Sequence, residues 1–506
     1  MSGADLPSLP GGLPGGLPGG PSPAAPDAAP PAPTGLVERF AAACTAWAER
    51  WIPDAFVFAL AATVLVLVAA VASGARPREV VQAWGGGLWE LLTFTLQMAL
   101  IIITGYVVAT ARPVYRVIAR LASVPSTPRG AVAMVAFFAM TSSWLNWGFS
   151  LIFSAMLAKE VARRLRSVDY RAVAASSFLG LGSVWAQGLS GSAALQMATA
   201  SAMQAGTREI VAGKDPATGQ ALVAGGVIPL SSTIFLWQSL LCVAIEIAVV
   251  TAVVYLYAPP AGRARTAADL GVDLGPSPLD VPAPAPRTDS PGERLEHLPV
   301  LNVAFVIAST AYLLGYFHDA PSVVQAITLD TINLVLLTAG FLLHGTPARL
   351  MRAVREATPS VWGVILQFPL YAGIAAVITR THLNARIAAA FVSVSTAKTF
   401  PAIIALYSAV LGVFVPSGGS KWVIEAPYVM AAAHDLRVHL GWMVAVYDLG
   451  EALANLVQPF WMLPVLAILG LRARDVMGYT FVVFLVLLPL VLVLVTVLGA
   501  TLPYPM

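Results

Sequence analysis

Apolar residues run along this chain in long blocks rather than in alternation. Runs of membrane-crossing length lie near 55–73, 91–110, 172–203, 231–257, 299–317, 323–344, 361–379, 441–471 and 477–500. About 20 helical residues at ~1.5 Å each cover the ~30 Å hydrocarbon layer, where only helices or closed barrels satisfy every peptide group. The pattern predicts an all-α polytopic membrane protein. Two further apolar segments, 130–158 and 400–434, are interrupted at their centres by TSSWLNWG (141–148) and VPSGGSKW (415–422). Gly, Pro, Ser and Asn propagate helices poorly, so each segment reads as two half-helices. Polar breaks also divide two of the long runs, QGLSGS at 187–192 and NLVQP at 455–459.

The polar intervals set the organisation. Residues 1–34 are rich in Pro, Gly and Ala, with the repeat GGLPGGLPGG at 11–20, and read as a disordered tail. A Pro-rich interval of mixed charge, 258–298, reads as a cytoplasmic linker between an N-terminal membrane repeat, 35–257, and a C-terminal one, 299–506. Basic residues orient the segments. Arg112, Arg116, Arg120 and Arg129 precede the first broken segment, and Lys159, Arg163, Arg164, Arg166 and Arg171 follow it. Both flanks are therefore expected inside, which makes the segment a re-entrant hairpin with arms of about 12–14 residues, reaching ~18–21 Å. Carried along the chain, with a cytoplasmic N-terminus, this topology puts 20 of the 29 Lys and Arg inside, and the second hairpin enters from outside.

Composition narrows the function. Only 11% of the 506 residues are charged and 58% are hydrophobic, whereas a soluble domain carries about 25% charged residues. That excludes a cytosolic enzyme or a nucleic-acid binder. The net charge of +3 implies no polyanionic partner, and two distant cysteines, Cys44 and Cys242, imply neither a disulfide framework nor a metal site. His434 and His439 have the spacing of a ligand pair but fall at a loop, and no metal is expected. No Walker loop or zincin motif occurs, and GLSGS (188–192) has Ser where a nucleophile elbow needs its last Gly.

The two halves share an order of features. Gln97 precedes Asn146, at the tip of the first hairpin, by 49 residues, and Gln367 precedes Ser417, at the tip of the second, by 50. Each hairpin is followed by a helix with a polar break. With hairpins opening to opposite sides the halves are inverted, and inverted repeats with discontinuous helices near the midplane belong to secondary transporters. Small residues that merely let membrane helices pack are the alternative. Broken helices free N–H groups that suit a carboxylate and carbonyls that suit a small cation. The expected substrate site therefore comprises Asn146, Gly148, Ser190, Gly191, Ser192, Ser417, Gly418, Gly419, Ser420, Lys421, Asn455 and Gln458. Lys421 either meets the substrate or points to water at the hairpin mouth. Trp147, Phe149, Trp422 and Phe460 are the expected pocket aromatics. Asp448 and Glu451, three apart on one helix face, either carry the coupling cation or fix helix packing, with Glu246 and Asp330 weaker candidates.

WIPDAFVFAL (51–60), WGGGLWELLTFTLQMALIIITG (84–105), NWGFSLIFSAMLAKEVARR (146–164), NLVLLTAGFLLHGTP (333–347), PSGGSKWVIEAP (416–427) and GEALANLVQPFWMLP (450–464) resemble the bacterial short-chain fatty acid transporter family. The resemblance runs from about residue 36 to 500. It implies import of small monocarboxylates such as butyrate or acetoacetate across the inner membrane. It also implies kinship with the ion-transporter superfamily, whose sodium–dicarboxylate members have an inverted hairpin fold and often work as elevators, which implies a homodimer. An anion entering against an inside-negative potential costs ~2.3 kcal/mol per charge per 100 mV, so symport with H⁺ or Na⁺ is expected. No other cofactor is implied. A sodium–proton antiporter, a passive anion channel and a membrane-embedded hydrolase are the rival readings.

Overall fold

The structure is a computed structural model that describes residues 55–214, 219, 221–277, 279, 290–320, 323–415 and 418–506. The tail 1–34, Cys44, Ser417 and the side chain of Ser420 lie outside the described residues. The first half contains α1 (Ala55–Ala72), α2 (Pro77–Gly87), α3 (Leu92–Ala109), α4 (Arg112–Leu121), α5 (Pro128–Leu145), α6 (Trp147–Arg164), α7 (Tyr170–Ser183), α8 (Ser192–Ala198), α9 (Ala205–Ala212) and α10 (Trp237–Tyr257). The second contains α11 (Pro291–His297), α12 (Val300–Asp319), α13 (Val323–Ala326), α14 (Leu329–His344), α15 (Pro347–Ala357), α16 (Trp362–Arg380), α17 (Leu383–Val394), α18 (Phe400–Phe414), α19 (Gly418–Asp435), α20 (Leu440–Ala454), α21 (Leu463–Leu469) and α22 (Ala473–Gly499). Among the described residues α3, α10, α12, α16 and α22 are long and apolar enough to cross a membrane. Of these, α3 and α16 are central, each 61% buried, whereas α12 is 17% buried and turns an apolar face outward.

Both interrupted segments fold back on themselves. Asn146 is extended, at φ −156° and ψ 120°, and separates α5 from α6. Ser150 on α6 reaches back to donate to the Ala139 carbonyl at 2.7 Å, and Ser142 donates to Ser150 at 3.0 Å, so the two helices lie side by side. In the second hairpin Lys421 donates to the Ser408 carbonyl at 2.6 Å, and the hydroxyls of Tyr407 and Tyr428 meet at 3.0 Å. The arms of the first hairpin have 18 residues each rather than about 12–14. They outrun the apolar stretch because Thr127 caps α5 and Pro128 opens it, while α6 continues to Arg164.

Packing partners recur in the same order in the two halves. α5 packs on α7 and α18 on α20, α3 on α6 and α16 on α19, α10 on α5 and α22 on α18. The closeness is shared too: a Cβ at Gly180 would stand 2.2 Å from the Ala139 carbonyl oxygen, and one at Gly450 would stand 2.3 Å from that of Ala405. Glycine is therefore the only residue that lets each broken helix approach its hairpin. Some pairings cross between halves. α1 and α2 pack on α16, and α14 and α15 pack on α3, where Asn333 donates to the Gln97 carbonyl at 3.0 Å and Gln97 to Asp330 at 2.6 Å.

Residues 258–277 of the interval 258–298 are tied to the first half, whereas α11 packs on α15 of the second. Arg163 donates to the carbonyls of Leu274 and Gly275 at 2.7 and 3.1 Å, and Asp169 accepts from the Arg265 amide at 2.9 Å.

His439 lies in the loop before α20 and caps it, its Nδ1 accepting from the Trp442 amide at 2.9 Å. Burial pushes its pKa down to about 4. An unfolded histidine titrates near 6.5, so this contribution to stability is complete above about pH 6.5 and is lost as pH falls toward 4. Unfolding midpoints measured between these values should fall in the wild type and stay flatter in His439→Asn, which keeps a capping oxygen.

Candidate functional site

The four chain interruptions meet at one pocket. Trp147 comes from the first hairpin tip, and Gly418 and Gly419 from the second. Trp185 and Ser192 flank the first helix break, and Asn455 and Trp461 flank the second. Met98 and Ile102 on α3 and Val364 and Phe368 on α16 complete the wall, with Leu181. Trp147 packs edge-on against both Trp185 and Trp461, with ring centroids 6.0 and 5.4 Å apart. The lining is thus largely aromatic and aliphatic, with a few polar atoms, the usual make-up of a small-molecule site.

Of the expected substrate residues, Ser192, Gly418, Gly419 and Asn455 line the pocket. Ser190 stands behind it and joins two breaks, its hydroxyl accepting from the Trp147 amide at 3.0 Å. Asn146 caps α6 by accepting from the Phe149 amide at 2.7 Å, while its Nδ2 is buried without a partner among the described residues. Gly148 packs on the α3 backbone at Ile102, and a Cβ at Gly191 would stand 1.9 Å from the Ala186 carbonyl oxygen. Asn455 donates to the Leu181 carbonyl at 3.0 Å and accepts from Gln458 at 2.7 Å, and Gln458 accepts from the Phe460 amide at 2.7 Å. These two amides therefore brace the second break against α7.

Three expected aromatics stand elsewhere. Phe149 stacks on Phe153, Trp422 packs on Tyr447, and Phe460 lies edge-on to Trp461. Nearness to a polar motif in sequence misled here, because adjacent helical residues point about 100° apart. Trp185, Trp461 and Phe368 take the wall positions instead. The Nε1 donors of Trp147 and Trp185 are buried without a partner among the described residues, and both side chains are only 6% exposed.

Lys421 meets neither the pocket nor water. It is fully buried, with Nζ 2.5 Å from Glu451 Oε2 and 3.3 Å from Glu425 Oε1, and 4.6 Å above the Tyr447 ring. Glu425, whose Oε2 accepts from Ser408 at 2.7 Å, is a partner the sequence reading missed, although the i, i+4 spacing from Lys421 was visible. Asp448 is also buried, one helical turn before Glu451. Tyr447 joins this cluster to the pocket, donating its hydroxyl proton to the Gly418 carbonyl. Glu246 touches the first break after all, accepting from Gln187 at 2.8 Å. The ring nitrogens of the two histidines are engaged separately, His434 with the Tyr504 hydroxyl and His439 with Trp442.

Comparison with known proteins places this architecture. A relative from Escherichia coli (strain K12) is 36% identical over 88% of this chain and 95% of its own. One from Haemophilus influenzae is 31% identical over 90% and 99%. Both bear the short-chain fatty acid transporter name. Two solved structures share the fold. The Alcanivorax borkumensis YdaH transporter has TM-score 0.56 at 16% identity, covering 90% of this chain and 100% of its own. Neisseria gonorrhoeae MtrF, described among antimetabolite efflux pumps, has TM-score 0.54 at 13% identity, covering 92% and 98%. The family model for short chain fatty acid transporters matches residues 36–498, and with these two relatives it shows that the chain belongs to the short-chain fatty acid transporter family.

Proposed function

We propose that the chain imports short monocarboxylates, of the butyrate and acetoacetate type, across the inner membrane by cation symport with alternating access. The observation that carries this reading is the convergence of four chain interruptions on one aromatic pocket. Irregular backbone at membrane depth is tolerated only where it is buried in protein or lines a cavity. In this reading the halves are inverted repeats and the two hairpins are re-entrant. The substrate carboxylate sits at the N-terminal turn of α19, where Gly418 and Gly419 expose main chain and the helix end carries partial positive charge. It also accepts from the indole N–H groups of Trp147 and Trp185, two buried donors with no partner among the described residues. The alkyl tail rests on Met98, Ile102 and Phe368. Each buried CH₂ contributes ~0.8 kcal/mol, so the depth of this apolar end sets the preferred chain length.

Radiolabelled butyrate uptake into proteoliposomes tests the reading. Accumulation above protein-free vesicles, and exchange of internal for external label, are expected. A passive channel gives neither, and an antiporter gives ion exchange that ignores carboxylates. Trp185→Phe keeps the ring and removes one donor to an anion. A hydrogen bond to a charged group contributes about 1.5–3 kcal/mol, so KM should rise roughly 10- to 150-fold. An unchanged KM would remove Trp185 from the carboxylate site.

A further inference from the structure

We infer that Lys421 is a built-in cation, and that the cluster of Lys421, Glu425, Asp448 and Glu451 is a coupling site that binds protons and refuses sodium. This inference rests on the transporter reading above and specifies its driving ion. Lys421 Nζ is held by the Ser408 carbonyl at 2.6 Å, Glu451 at 2.5 Å and Glu425 at 3.3 Å, with the Tyr447 ring on another side. Oxygen ligands from main chain and carboxylates are what a hard metal cation needs. Here an ammonium tethered to the hairpin occupies that position permanently. A metal cation would have to share these oxygens with the ammonium or displace it from them.

Charge arithmetic favours the proton. Three carboxyls face one ammonium, so the fully ionised cluster carries two excess negative charges in a site closed to water. Uncompensated charge there is costly, and proton binding removes it without needing a further coordination shell. Other charges near the cluster do not compensate it. On the packed helices Arg171 pairs with Asp169, Arg380 with Glu90, Arg208 with the Gly225 carbonyl, and His434 with Tyr504. Glu209, Arg386, Asp435 and Arg474 are exposed, Asp475 pairs with Arg472, and α18 carries no charged residue. Tyr407, Tyr428 and Tyr447 add only neutral hydroxyls.

Asp448 is the acid left to exchange the proton. It lies within electrostatic reach of Glu451 and Lys421 but pairs with neither, and its buried Oδ2 meets no donor among the described residues. A proton taken up on the Asp448 carboxylate from one side and released on the other balances the charge of one monocarboxylate. The event is transmitted to the pocket because Tyr447, beside Asp448, holds the Gly418 carbonyl, and a Cβ at Gly418 would stand 3.2 Å from Glu451 Cγ.

The test uses the full chain in proteoliposomes, with protein-free vesicles to subtract diffusion of the neutral acid. Wild type should accumulate labelled butyrate with an inward proton gradient and not with a sodium gradient alone. Its melting temperature should be the same in sodium and choline chloride. Asp448→Asn should lose at least tenfold in gradient-driven accumulation, a larger loss than any it shows in label exchange at equal pH. Sodium-driven accumulation in wild type, or proton-driven accumulation at wild-type level in a folded Asp448→Asn, overturns the inference. If Asp448→Asn does not fold, the wild-type comparison of the two gradients decides alone. Absence of any carboxylate exchange in wild type would instead refute the transporter reading.

Discussion

Lys421→Met is expected to destabilise the protein by about 3–5 kcal/mol and to abolish gradient-driven uptake. Lys421 is fully buried between Glu425 and Glu451. Removing one member of a buried ion pair leaves the other charge desolvated and uncompensated, which costs far more than the pair itself contributed. Methionine fills much of the same volume, so the loss is electrostatic rather than a cavity. A double-mutant cycle separates the two: adding Glu451→Gln to Lys421→Met should recover a large part of the lost stability, measured by thermal unfolding in detergent. Additive losses would mean that the Lys421–Glu451 pair is not coupled in stability.

Gly418→Ala should lower uptake by roughly 100-fold while leaving the protein folded. A Cβ at this position would stand 2.6 Å from Trp185 Cη2 and 3.2 Å from Glu451 Cγ. The indole must therefore move, and it forms the pocket wall beside Trp147. Displacements of about 1 Å at a positioned group cost on the order of 10²-fold in rate, whereas mild overpacking costs only ~1–3 kcal/mol in stability. Uptake kinetics together with a melting curve check both halves of this expectation. Wild-type uptake would mean that the tip at Gly418 is not part of the substrate path.

The interruptions were legible in the sequence because Gly, Pro, Ser and Asn stand out inside runs of Leu, Val and Ala. Asn146, Gly191, Gly418 and Asn455 all fall where a helix starts, stops or breaks. Gly418 and Asn455 line one pocket together with Trp147 and Ser192, the neighbours of Asn146 and Gly191. The walls were less legible. Trp185 and Trp461 lie two residues outside the polar motifs QGLSGS and NLVQP, and rotation about the helix, not distance in sequence, decides which ring faces the cavity. Burial of Lys421 was hidden for a similar reason. Its fate depends on Glu451, thirty residues on, and on the Ser408 carbonyl, a main-chain acceptor that leaves no trace in side-chain patterns.

The crossed packing of α1 and α2 on α16, and of α14 and α15 on α3, ties the halves together like two people each holding the other's wrist. Neither half, synthesised alone, has the helices that cover its own central span. Carrying both halves in one polypeptide makes that embrace intramolecular, so it does not depend on how many molecules share the membrane.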